Sequence, residues 1–456
     1  MSREMTSDEL PDGWASCEIG EISPVVGGGT PPSKDPSNFT NKGGTPWITP
    51  ADLSGYREMY ISRGARNLTD KGCANSAAKL LPEGALLFSS RAPVGYVAIA
   101  SNPVCTNQGF KSFVLPSGFD PRFGYYYLRH IKPIAESRAT GTTFKELSGA
   151  AAAKLPFKVA PLAEQKRIAD KLEAVLGRVD ACRARLDRVP ALLKRFRQSV
   201  LAAATSGKLT SDWRKDTDDR ETVPLRRAIR SIRTGPFGSS LHKADYVSGG
   251  TPIVNPMHIN DGKIIPTVHM TVDSATLKRL SDFQLSTGDV IIGRRGEMGR
   301  CAVVGVEENG WLCGTGSMVL SPISTLNPEY LQIFLSSPGI VHALEGESVG
   351  STMVNLNQKI LLELEIFFPS LPEQQEIVRR VEDLFAFADR IEARLATARK
   401  TVERLTPSTL AKAFRGELVP QDPNDEPAGA LLERLKPPIP TKSGPRRSRN
   451  MDSKLV

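Results

Sequence analysis

The sequence has few of the residue patterns on which metal and redox sites depend. Its six cysteines form no Cys-x-x-Cys pair and no Cys/His cluster with the spacing of a zinc site, so a structural metal is not expected. The five histidines are scattered, with no paired spacing on a helix. No stretch reaches the length of a membrane span, and no charged segment followed by an apolar run opens the chain. These absences predict a cytoplasmic protein in a reducing compartment.

Motifs for cofactor chemistry are missing too. The sequence contains no GxxxxGKS or GxxxxGKT loop for ATP phosphates, no metal-nuclease pattern and no glycine-rich turn for S-adenosylmethionine. The segment NPEY at 327–330 differs by one residue from the motif in which an amino-methyltransferase holds a flipped adenine. Without a cofactor turn near it, we interpret NPEY as the N-terminal cap of a helix. The chain is therefore predicted to hold no catalytic site, cofactor or metal of its own.

The sequence does have enough apolar residues for several domains, and an excess of positive charge. With 456 residues, of which 40% are hydrophobic and 24% charged, two or more folded domains are expected. Lysine and arginine exceed aspartate and glutamate by nine, which favours a polyanionic partner such as nucleic acid. Net charge also serves solubility, so charge alone does not decide between these two explanations.

The chain repeats itself at an offset of 209 positions. From Pro161 to Thr210, 16 of 50 positions are identical to the shifted sequence. Weaker echoes precede this stretch: GGTPWI at 43–48 matches GGTPIV at 249–254, and SSRAPVG at 89–95 matches GRRGEMG at 293–299. Such self-similarity predicts two half-chains, each a globular module followed by a helix.

Each repeated helix carries a row of apolar residues spaced alternately by four and three positions, which we call its apolar seam. The first seam is Ile168, Leu172, Val175, Val179, Cys182, Leu186, Val189, Leu193, Phe196 and Val200. The second seam is Ile377, Val381, Leu384, Ala388, Ile391, Leu395, Ala398, Val402, Leu405 and Thr409. This spacing is typical of a coiled coil, so the two seams are predicted to pair with each other. The alternative is that each helix docks on its own module.

The modules have the composition of short strands joined by turns. Runs such as ALLFSS at 85–90 and DVIIGRR at 289–295 are bounded by Gly, Pro, Ser and Thr. The pattern predicts an α+β protein with modules at 1–160 and 222–369, helices with spacers at 161–221 and 370–419, and a disordered basic tail at 420–456. Pro190 should kink the first helix or cost it a hydrogen bond, while Gly207 and Gly416 are predicted helix stops.

Polar and basic residues in matching turns are the candidates for contact with nucleic acid. Both modules place arginine in a turn after an apolar strand, where a guanidinium group could reach phosphate or guanine. The alternative is that such an arginine caps backbone carbonyls. Candidates in the first module are Thr30, Lys34, Trp47, Thr49, Arg91, Asn107, Gln108 and Lys111. Candidates in the second module are Arg233, Ser239, Asn255, His258, Arg294, Arg295 and Thr315.

The two repeated helices also carry a family signature. The first starts in PLAEQKRIADKL at 161–172 and ends in SVLAAATSGKL at 199–209; the second starts in SLPEQQEI at 370–377 and ends in STLAKAFRGEL at 408–418. With two divergent modules before these helices, the chain resembles the specificity subunit of type I restriction-modification systems, from about residue 13 to residue 419. Pro372 stands where the first half has Ala163, a common variation in this family.

The resemblance implies a non-catalytic subunit with two α/β target recognition domains, each reading one half of a bipartite site in double-stranded DNA. It implies that the helices form a spacer and dock two methylation subunits, to which restriction subunits add. S-adenosylmethionine, ATP and Mg²⁺ are then expected in those partners. An antiparallel two-helix coiled coil would relate the halves by a pseudo-two-fold axis, as half-sites on opposite strands are related.

Two other interpretations stay open at the level of the sequence. A stand-alone DNA-modifying enzyme, such as a methyltransferase fused to its reader, would require a cofactor site. A coiled-coil scaffold would have polar flanking modules without repeats and without paired arginine turns.

Overall fold

A computed structural model describes residues 10–91, 93–141, 145–214, 221–237, 240–346 and 356–435. The chain forms two compact units. The first takes in the described residues up to Ala184 together with those from Arg399 onward, and the second covers Arg185–Ala398. Each unit therefore contains one globular module and a part of each long helix, whereas the sequence pattern assigns the helices to segments of their own.

The first module consists of short strands separated by turns, as its composition predicts. Its strands are β1 Ala15–Glu18, β2 Val25–Gly27, β3 Phe39–Thr40, β4 Thr45–Ile48, β5 Tyr60–Ile61, β6 Arg66–Leu68, β7 Leu86–Ser90, β8 Val94–Ala100, β9 Cys105–Thr106, β10 Lys111–Phe113 and β11 Pro156–Val159. Its helices are α1 Ile19–Ile22, α2 Asp70–Ala74, α3 Pro121–His130, α4 Lys132–Arg138 and α5 Gly149–Ala153. One sheet has the order β2-β10-β7-β8-β5, another has the order β3-β6-β4-β9, and β1 pairs with β11.

Helix α3 packs on the five-stranded sheet because it carries a run of large apolar side chains. Phe123 of this helix is buried against Trp14, with ring centroids 6.2 Å apart, and Phe113 of β10 belongs to the same core. A 44-residue helix, α6 Leu162–Thr205, follows β11. Its first turns add Ile168 to this core, so the module and the start of the long helix share one hydrophobic interior.

The second module repeats this design with its own strands. They are β12 Thr222–Pro224, β13 Ile229–Thr234, β14 Tyr246–Val247, β15 Thr251–Val254, β16 Ile259–Asn260, β17 Lys263–Ile264, β18 Thr271–Val272, β19 Val290–Gly293, β20 Cys301–Val303, β21 Leu312–Cys313, β22 Ser317–Pro322 and β23 Glu365–Phe367. The helices are α7 Ser274–Arg279, α8 Pro328–Leu335, α9 Pro338–Gly346 and α10 Gln358–Leu362. The sheets have the orders β13-β22-β19-β20, β14-β18-β15-β21, β12-β23 and β16-β17.

The NPEY segment begins helix α8. The side chain of Asn327 accepts a hydrogen bond of 2.7 Å from the backbone N–H of Tyr330, which is the usual bond of an N-terminal cap. Tyr330 is buried, and its hydroxyl donates to the carbonyl of Phe367 at 2.6 Å. The interpretation of this segment as a helix cap is therefore confirmed.

The second long helix, α11 Leu371–Ala413, is the counterpart of α6. Both helices continue through an internal proline, Pro190 in α6 and Pro407 in α11. Just beyond their ends, Gly207 and Gly416 adopt φ angles of +68° and +73°, a left-handed conformation that favours glycine. The two predicted helix stops are therefore confirmed.

Most of the predicted seam residues face an interior, with two exceptions. Of those on which the pairing prediction rests, Ile168, Leu172, Val179, Leu193, Ile377, Val381 and Leu395 are buried, and Leu186, Ile391 and Val402 are half-buried. Cys182 and Leu405 are exposed instead, while Leu176 and Leu410, outside the predicted seams, are buried. An α-helix drifts by about 20° per heptad relative to a strict seven-residue repeat, which explains why neighbouring positions take over the buried face.

Within the second unit, the end of α6 lies beside α11. Arg197 binds Asp389 and Glu392 at 2.6 and 2.9 Å. Further along the chain, the carbonyl of Leu209 accepts a hydrogen bond of 2.8 Å from Arg380. Because the contacts move back along α11 as the chain advances from Arg197 to Leu209, this segment and α11 run in opposite directions there.

A glutamine fixes the start of each long helix. The side-chain oxygen of Gln165 accepts a hydrogen bond of 3.0 Å from the backbone N–H of Asp120, the cap of α3. Gln374 does the same for Asn327 at 2.8 Å, and its amide donates to the carbonyl of Pro369 at 2.8 Å. Both glutamines are fully buried, so the EQ pair of the repeated motif ties each module to the helix that follows it.

The segment after Pro420 differs from its prediction as a disordered tail. Residues 428–435 form helix α12 Ala428–Leu435, and Leu431 is buried in the core of the first unit. Before this helix, Asp425 binds Arg167 at 2.7 Å. The apolar side of this short helix packs on the first unit, and the polar residues around the helix in the sequence give no sign of this packing. The prediction is thus wrong for 420–435, and the rest of the tail lies outside the described residues.

Candidate nucleic-acid interface

Three loops of the first module meet at one end of its sheets. The indole N–H of Trp47 donates a hydrogen bond of 3.0 Å to the carbonyl of Gly29, and the backbone N–H of Asn107 donates to the carbonyl of Ile48 at 3.0 Å. A Cβ atom at Gly28 would overlap the carbonyl oxygen of Asn107, so the backbones touch. Together with residues 90–91, loops 28–30, 47–49 and 107–109 form what we call the first loop cluster.

Polar side chains line the surface of the first loop cluster. Thr30 donates a hydrogen bond to the side-chain oxygen of Gln108, and both residues are exposed. Thr49 instead turns inward, and its hydroxyl donates to Asp52 at 2.7 Å. Trp47 is buried, which makes it a support for the loop rather than a surface residue. Thr30 and Gln108 are therefore the neutral side chains that this cluster presents.

The cations of the first module are only partly neutralised. Arg91 and Lys111 share one carboxylate, Glu146, at 3.3 and 4.0 Å, and two positive charges facing one negative charge leave a net charge of +1. Arg91 keeps about a third of its side chain exposed. Lys34 is exposed in the loop that follows Thr30. The site therefore offers donors and positive charge, which suit phosphate and the acceptor edges of bases.

The second module builds its cluster with the same backbone hydrogen bonds. We call loops 235–237, 254–258, 294–295 and 314–316 the second loop cluster. Three bonds from a backbone N–H to a backbone carbonyl in the first module each have a counterpart in the second. The bond from Asn107 to Ile48 (3.0 Å) matches that from Gly314 to Val254 (2.9 Å), and the bond from Ser90 to Gly109 (2.7 Å) matches that from Arg294 to Gly316 (2.9 Å). The bond from Leu147 to Ser90 (2.8 Å) matches that from Leu356 to Arg294 (3.0 Å). These pairs align Ser90 with Arg294, and hence Arg91 with Arg295.

Three sequence candidates in the second module turn out to have structural partners. His258 is buried, and its Nδ1 accepts a hydrogen bond of 3.2 Å from the backbone N–H of Asn255. Arg233 binds the buried Asp289 at 3.1 Å and donates to the carbonyl of Asp282 at 2.9 Å. The third is Arg294, whose guanidinium is buried and donates from Nε to the carbonyl of Leu356 at 3.4 Å. The structure therefore favours structural roles for these three residues over direct base contact, because His258 and Arg294 are buried and the guanidinium of Arg233 binds Asp289 and a backbone carbonyl.

His258 performs a task that an aspartate performs in the first module. The carboxylate of Asp52 accepts a hydrogen bond of 2.7 Å from the backbone N–H of Thr49, at the position where His258 accepts from Asn255. Burial lowers the pKa of His258 below its usual range, which keeps the ring neutral and able to accept. The two modules therefore share this hydrogen bond to the backbone but use different side chains to make it.

The remaining candidates of the second module lie at the surface or close to it. Arg295 is exposed, and Asn255 and Thr315 are half-buried. Ser239 lies outside the described residues. Arg295 matches the turn position of Arg91 in the other module, so one arginine of each predicted turn does reach solvent. The sequence assigned this role equally to Arg294, because two adjacent arginines cannot be told apart by pattern.

Sequence reasoning missed three exposed features of the loops. Phe237 and Met257 in the second loop cluster are large apolar side chains in water. In the first module the guanidinium of Arg66 lies over the ring of Phe39, 4.3 Å from its centroid. A phenylalanine inside the Gly- and Ser-rich stretch 235–240 was a signal available in the sequence. The stacking of Arg66 needs the pairing of β3 with β6 and could not be seen beforehand.

The chain matches the family described as type I restriction modification DNA specificity domain, over residues 11–190 and again over 236–398. It belongs to this family. The two matches coincide with the two half-chains of the repeat. Within the type I specificity family, the specificity subunit of the enzyme EcoKI from Escherichia coli strain K12 is 29% identical over 98% of this chain and 99% of its own. That of EcoBI from Escherichia coli is 30% identical over 96% and 95%.

Solved structures of type I systems have the same fold as this specificity-family chain. One is described as the structural basis underlying complex assembly and conformational transition of the type I R-M system. It aligns with a TM-score of 0.66 at 21% identity, over 90% of this chain and all of that chain. The HsdS subunit from Thermoanaerobacter tengcongensis aligns with a TM-score of 0.61 at 21% identity, over 90% of this chain and 99% of the other.

The described part of the chain shows neither a metal cluster nor a membrane-spanning helix. Across the described ranges, no group of three or more His, Cys, Asp or Glu side chains is arranged to hold a metal ion. Among the helices of those ranges, none is both long and apolar enough to cross a membrane.

Proposed function

We propose that this chain is the non-catalytic DNA sequence-recognition subunit of a type I restriction-modification complex. Family membership supports the class of protein. The observation that carries the assignment is the duplicated loop cluster, in which matching backbone bonds present an arginine, Arg91 or Arg295, at the same place in each module. Guanidinium groups in turns are well suited to phosphate oxygens and to guanine.

Each module reads one half of a bipartite site in double-stranded DNA. The side chains at matching positions support different half-sites, because Ser90 in one module corresponds to Arg294 in the other and Asp52 corresponds to His258. The readers we propose are Thr30, Lys34, Arg91, Gln108 and Lys111 in the first module, and Asn255, Arg295 and Thr315 in the second. The partnered residues near them, including Trp47, Thr49 and Asn107, position these readers.

The long helices form an antiparallel two-helix coiled coil that docks two methylation subunits, to which restriction subunits add. The ion pairs of Arg197 in α6 with Asp389 and Glu392 in α11 support the pairing of the two helices. Leu192 of α6 and Phe387 of α11 support the docking, since both are large apolar side chains exposed on these helices. The proposed division is a recognition domain at 1–160, a helix with spacer at 161–221, a second recognition domain at 222–369 and a second helix at 370–419.

The chain holds no cofactor of its own in this proposal. S-adenosylmethionine, ATP and Mg²⁺ act in the methylation and restriction subunits. Labelled S-adenosylmethionine should therefore be retained by the assembled complex and not by this chain alone. Retention by the isolated chain would instead favour a stand-alone modifying enzyme.

The central test is the methylation pattern that the complex produces in a host genome. We expect a bipartite motif, and exchange of residues 14–160 for the module of another family member should change one half of it. If both halves stay unchanged after the exchange, the assignment of the modules is wrong. A coiled-coil scaffold without a reading function would give no sequence-specific retardation of duplex DNA by the complex.

Single variants refine this test. Arg91→Gln and Arg295→Gln should each weaken DNA binding, and a lost phosphate contact should reduce the slope of log affinity against log salt by about 0.9. Arg230→Gln is a matched control for Arg295→Gln, because Arg230 is an exposed arginine of the second module near the start of β13. The second loop cluster follows the other end of that strand. The control should leave the slope unchanged.

A further inference from the structure

The second loop cluster exposes two large apolar side chains to water. Phe237 is 55% exposed and Met257 is 60% exposed. Single exposed apolar residues are common on protein surfaces, so exposure alone carries no argument. What sets these two apart is that the fold brings both of them into the loops with which we propose the second module contacts DNA.

Close backbone packing joins the two loops that carry these side chains. A Cβ atom at Gly235 would overlap the carbonyl oxygen of Gly314, and one at Gly314 would overlap the side-chain oxygen of Asn255. Phe237 follows Gly235 by two residues, and Met257 follows Asn255 by two residues. The two apolar tips therefore project from one compact cluster and not from separate regions of the module.

Arg294 supports Phe237 from the protein side. Its guanidinium carbon lies 5.1 Å from the centroid of the Phe237 ring, and Arg294 itself is only 7% exposed. Burial, and to a lesser degree the neighbouring Arg295, lower the pKa of Arg294 below its usual range. A cation held beneath an aromatic ring fixes the ring by electrostatic attraction, so Arg294 is a positioning residue for Phe237.

The charge of the cluster suits a polyanion around this apolar surface. Arg295 is exposed beside Arg294, and its side chain can reach phosphate while the apolar tips meet the bases. At the matching places the first module has Ala51 instead of Met257 and Thr30 instead of Phe237, since Gly28 and Gly235 make the same close contact with Asn107 and Gly314. At these two positions, large apolar side chains are found in the second module and not in the first.

We propose that Phe237 and Met257 contact the C5-methyl groups of thymine in the second half-site. This inference rests on the proposed function and names the chemistry that the second module reads. The thymine methyl is the apolar feature of the major groove, and uracil differs from thymine only by its absence. The second half-site therefore contains at least one A·T pair whose methyl group contributes to affinity.

The test uses the assembled complex of this chain with its methylation subunits and a short duplex that carries the genomic motif. Each thymine of the second half-site, on either strand, is replaced in turn by deoxyuridine. At one or two positions we expect binding to weaken about fourfold, which is the effect of one methyl group returned to water. Because the protein is unmodified in this experiment, the result does not depend on how a variant folds.

Variants then assign the methyl contact to these residues. Phe237→Ala and Met257→Ala should each reduce or abolish the difference between thymine and uracil at the position that the residue contacts, because a partner of that methyl group is gone. Val306→Ala is the matched control, since Val306 is 81% exposed in the same module. It lies beyond β20, at the end of the β19–β20 hairpin away from Arg294. The control should retain the fourfold difference.

Arg294→Gln tests the positioning role by the same ratio. If the guanidinium holds the Phe237 ring in place, the preference for thymine should shrink and Arg294→Lys should restore part of it. A merely structural role would lower affinity for both duplexes alike.

Three outcomes would overturn the proposal. The second half-site could contain no A·T pair, deoxyuridine could be tolerated at every position, or both apolar variants could keep the full thymine preference. In each case sequence-specific binding by the complex would persist, and the proposed function would stand. Absence of sequence-specific binding by the unmodified complex would instead overturn the proposed function.

Discussion

The side-chain oxygen of Gln374 accepts a hydrogen bond of 2.8 Å from the backbone N–H of Asn327, the residue that caps helix α8. Its amide donates to the carbonyls of Thr325 and Pro369 at 3.0 and 2.8 Å. Gln374→Leu should lower the free energy of unfolding of the second unit by roughly 1–3 kcal/mol for each polar group that stays buried and unpaired. Urea unfolding and hydrogen exchange of the α8 amides measure this loss. Gln375→Leu, at the exposed neighbouring position, should change little.

The stability of the second module should depend on the protonation of His258. Its pKa is lowered by burial, so the folded state favours the neutral ring more than the unfolded state does. That contribution is fully present above the unfolded pKa and is lost as the pH falls through the folded pKa. Acidification from pH 7 to pH 5 should therefore destabilise the module, by about 1.4 kcal/mol for each unit between the two pKa values.

The His258 prediction can be checked by comparing two substitutions over the same pH range. His258→Asp should fold and lose most of this pH dependence, because a carboxylate fills the same role at Asp52. His242→Asn, at an exposed histidine of the same module, should keep the dependence of the unmodified protein. Equal pH dependence in all three proteins would contradict the role given to His258.

Two leucines of the second apolar seam should respond differently to truncation. Leu395 is 7% exposed and Leu405 is 41% exposed, although the heptad spacing treats them alike. Leu395→Ala should lower the free energy of unfolding by about 2–4 kcal/mol, since it removes buried methyl groups and leaves a cavity. Leu405→Ala should cost less than about 1 kcal/mol. Thermal and urea unfolding of both variants would measure the difference, and equal losses would show that the described burial of the seam is wrong.

Cys182 should be the most reactive thiol of the protein. It is exposed on α6, whereas burial raises the pKa of Cys301 and of Cys313 to about 12. The thiolate is the reactive form, so a maleimide at pH 7 should label Cys182 first. Mass spectrometry of partly labelled protein identifies the modified cysteine, and Cys182→Ser should remove the fast phase. Slower labelling of Cys182 in the assembled complex would report partner contact on the helices.

Much of the architecture was accessible from the sequence because the repeat is a long-range signal. The offset of 209 positions locates both long helices, and glycine at 207 and 416 marks their ends. The EQ motif was recognised as a family signature, but the sequence did not show that its glutamine binds the backbone of the preceding module. Gln165 and Gln374 bind backbone groups more than 40 residues away in sequence, and no local pattern encodes such a pairing.

The candidate interface was predictable only as a set of loops. Position in a turn selected Arg91 and Arg295, which do reach solvent, yet the same reasoning included His258 and Arg294, which packing buries. Whether a polar side chain in a loop points to solvent or inward depends on the neighbours that the fold supplies. Phe237 and Met257 were overlooked for the opposite reason, since apolar residues are expected inside until a structure shows them exposed.

The loop clusters are held together by bonds between backbone atoms, and this has an evolutionary consequence. Ser90 and Arg294, or Asp52 and His258, exchange very different side chains within the same set of main-chain hydrogen bonds. A lineage can therefore accumulate substitutions in the loop cluster of one module without losing the backbone hydrogen bonds that hold the cluster together. Because the two modules have separate hydrophobic cores, recombination that replaces one module and keeps both long helices leaves the core of the other module unchanged. If the modules read DNA as proposed, a single exchange of this kind gives a population a new methylation pattern.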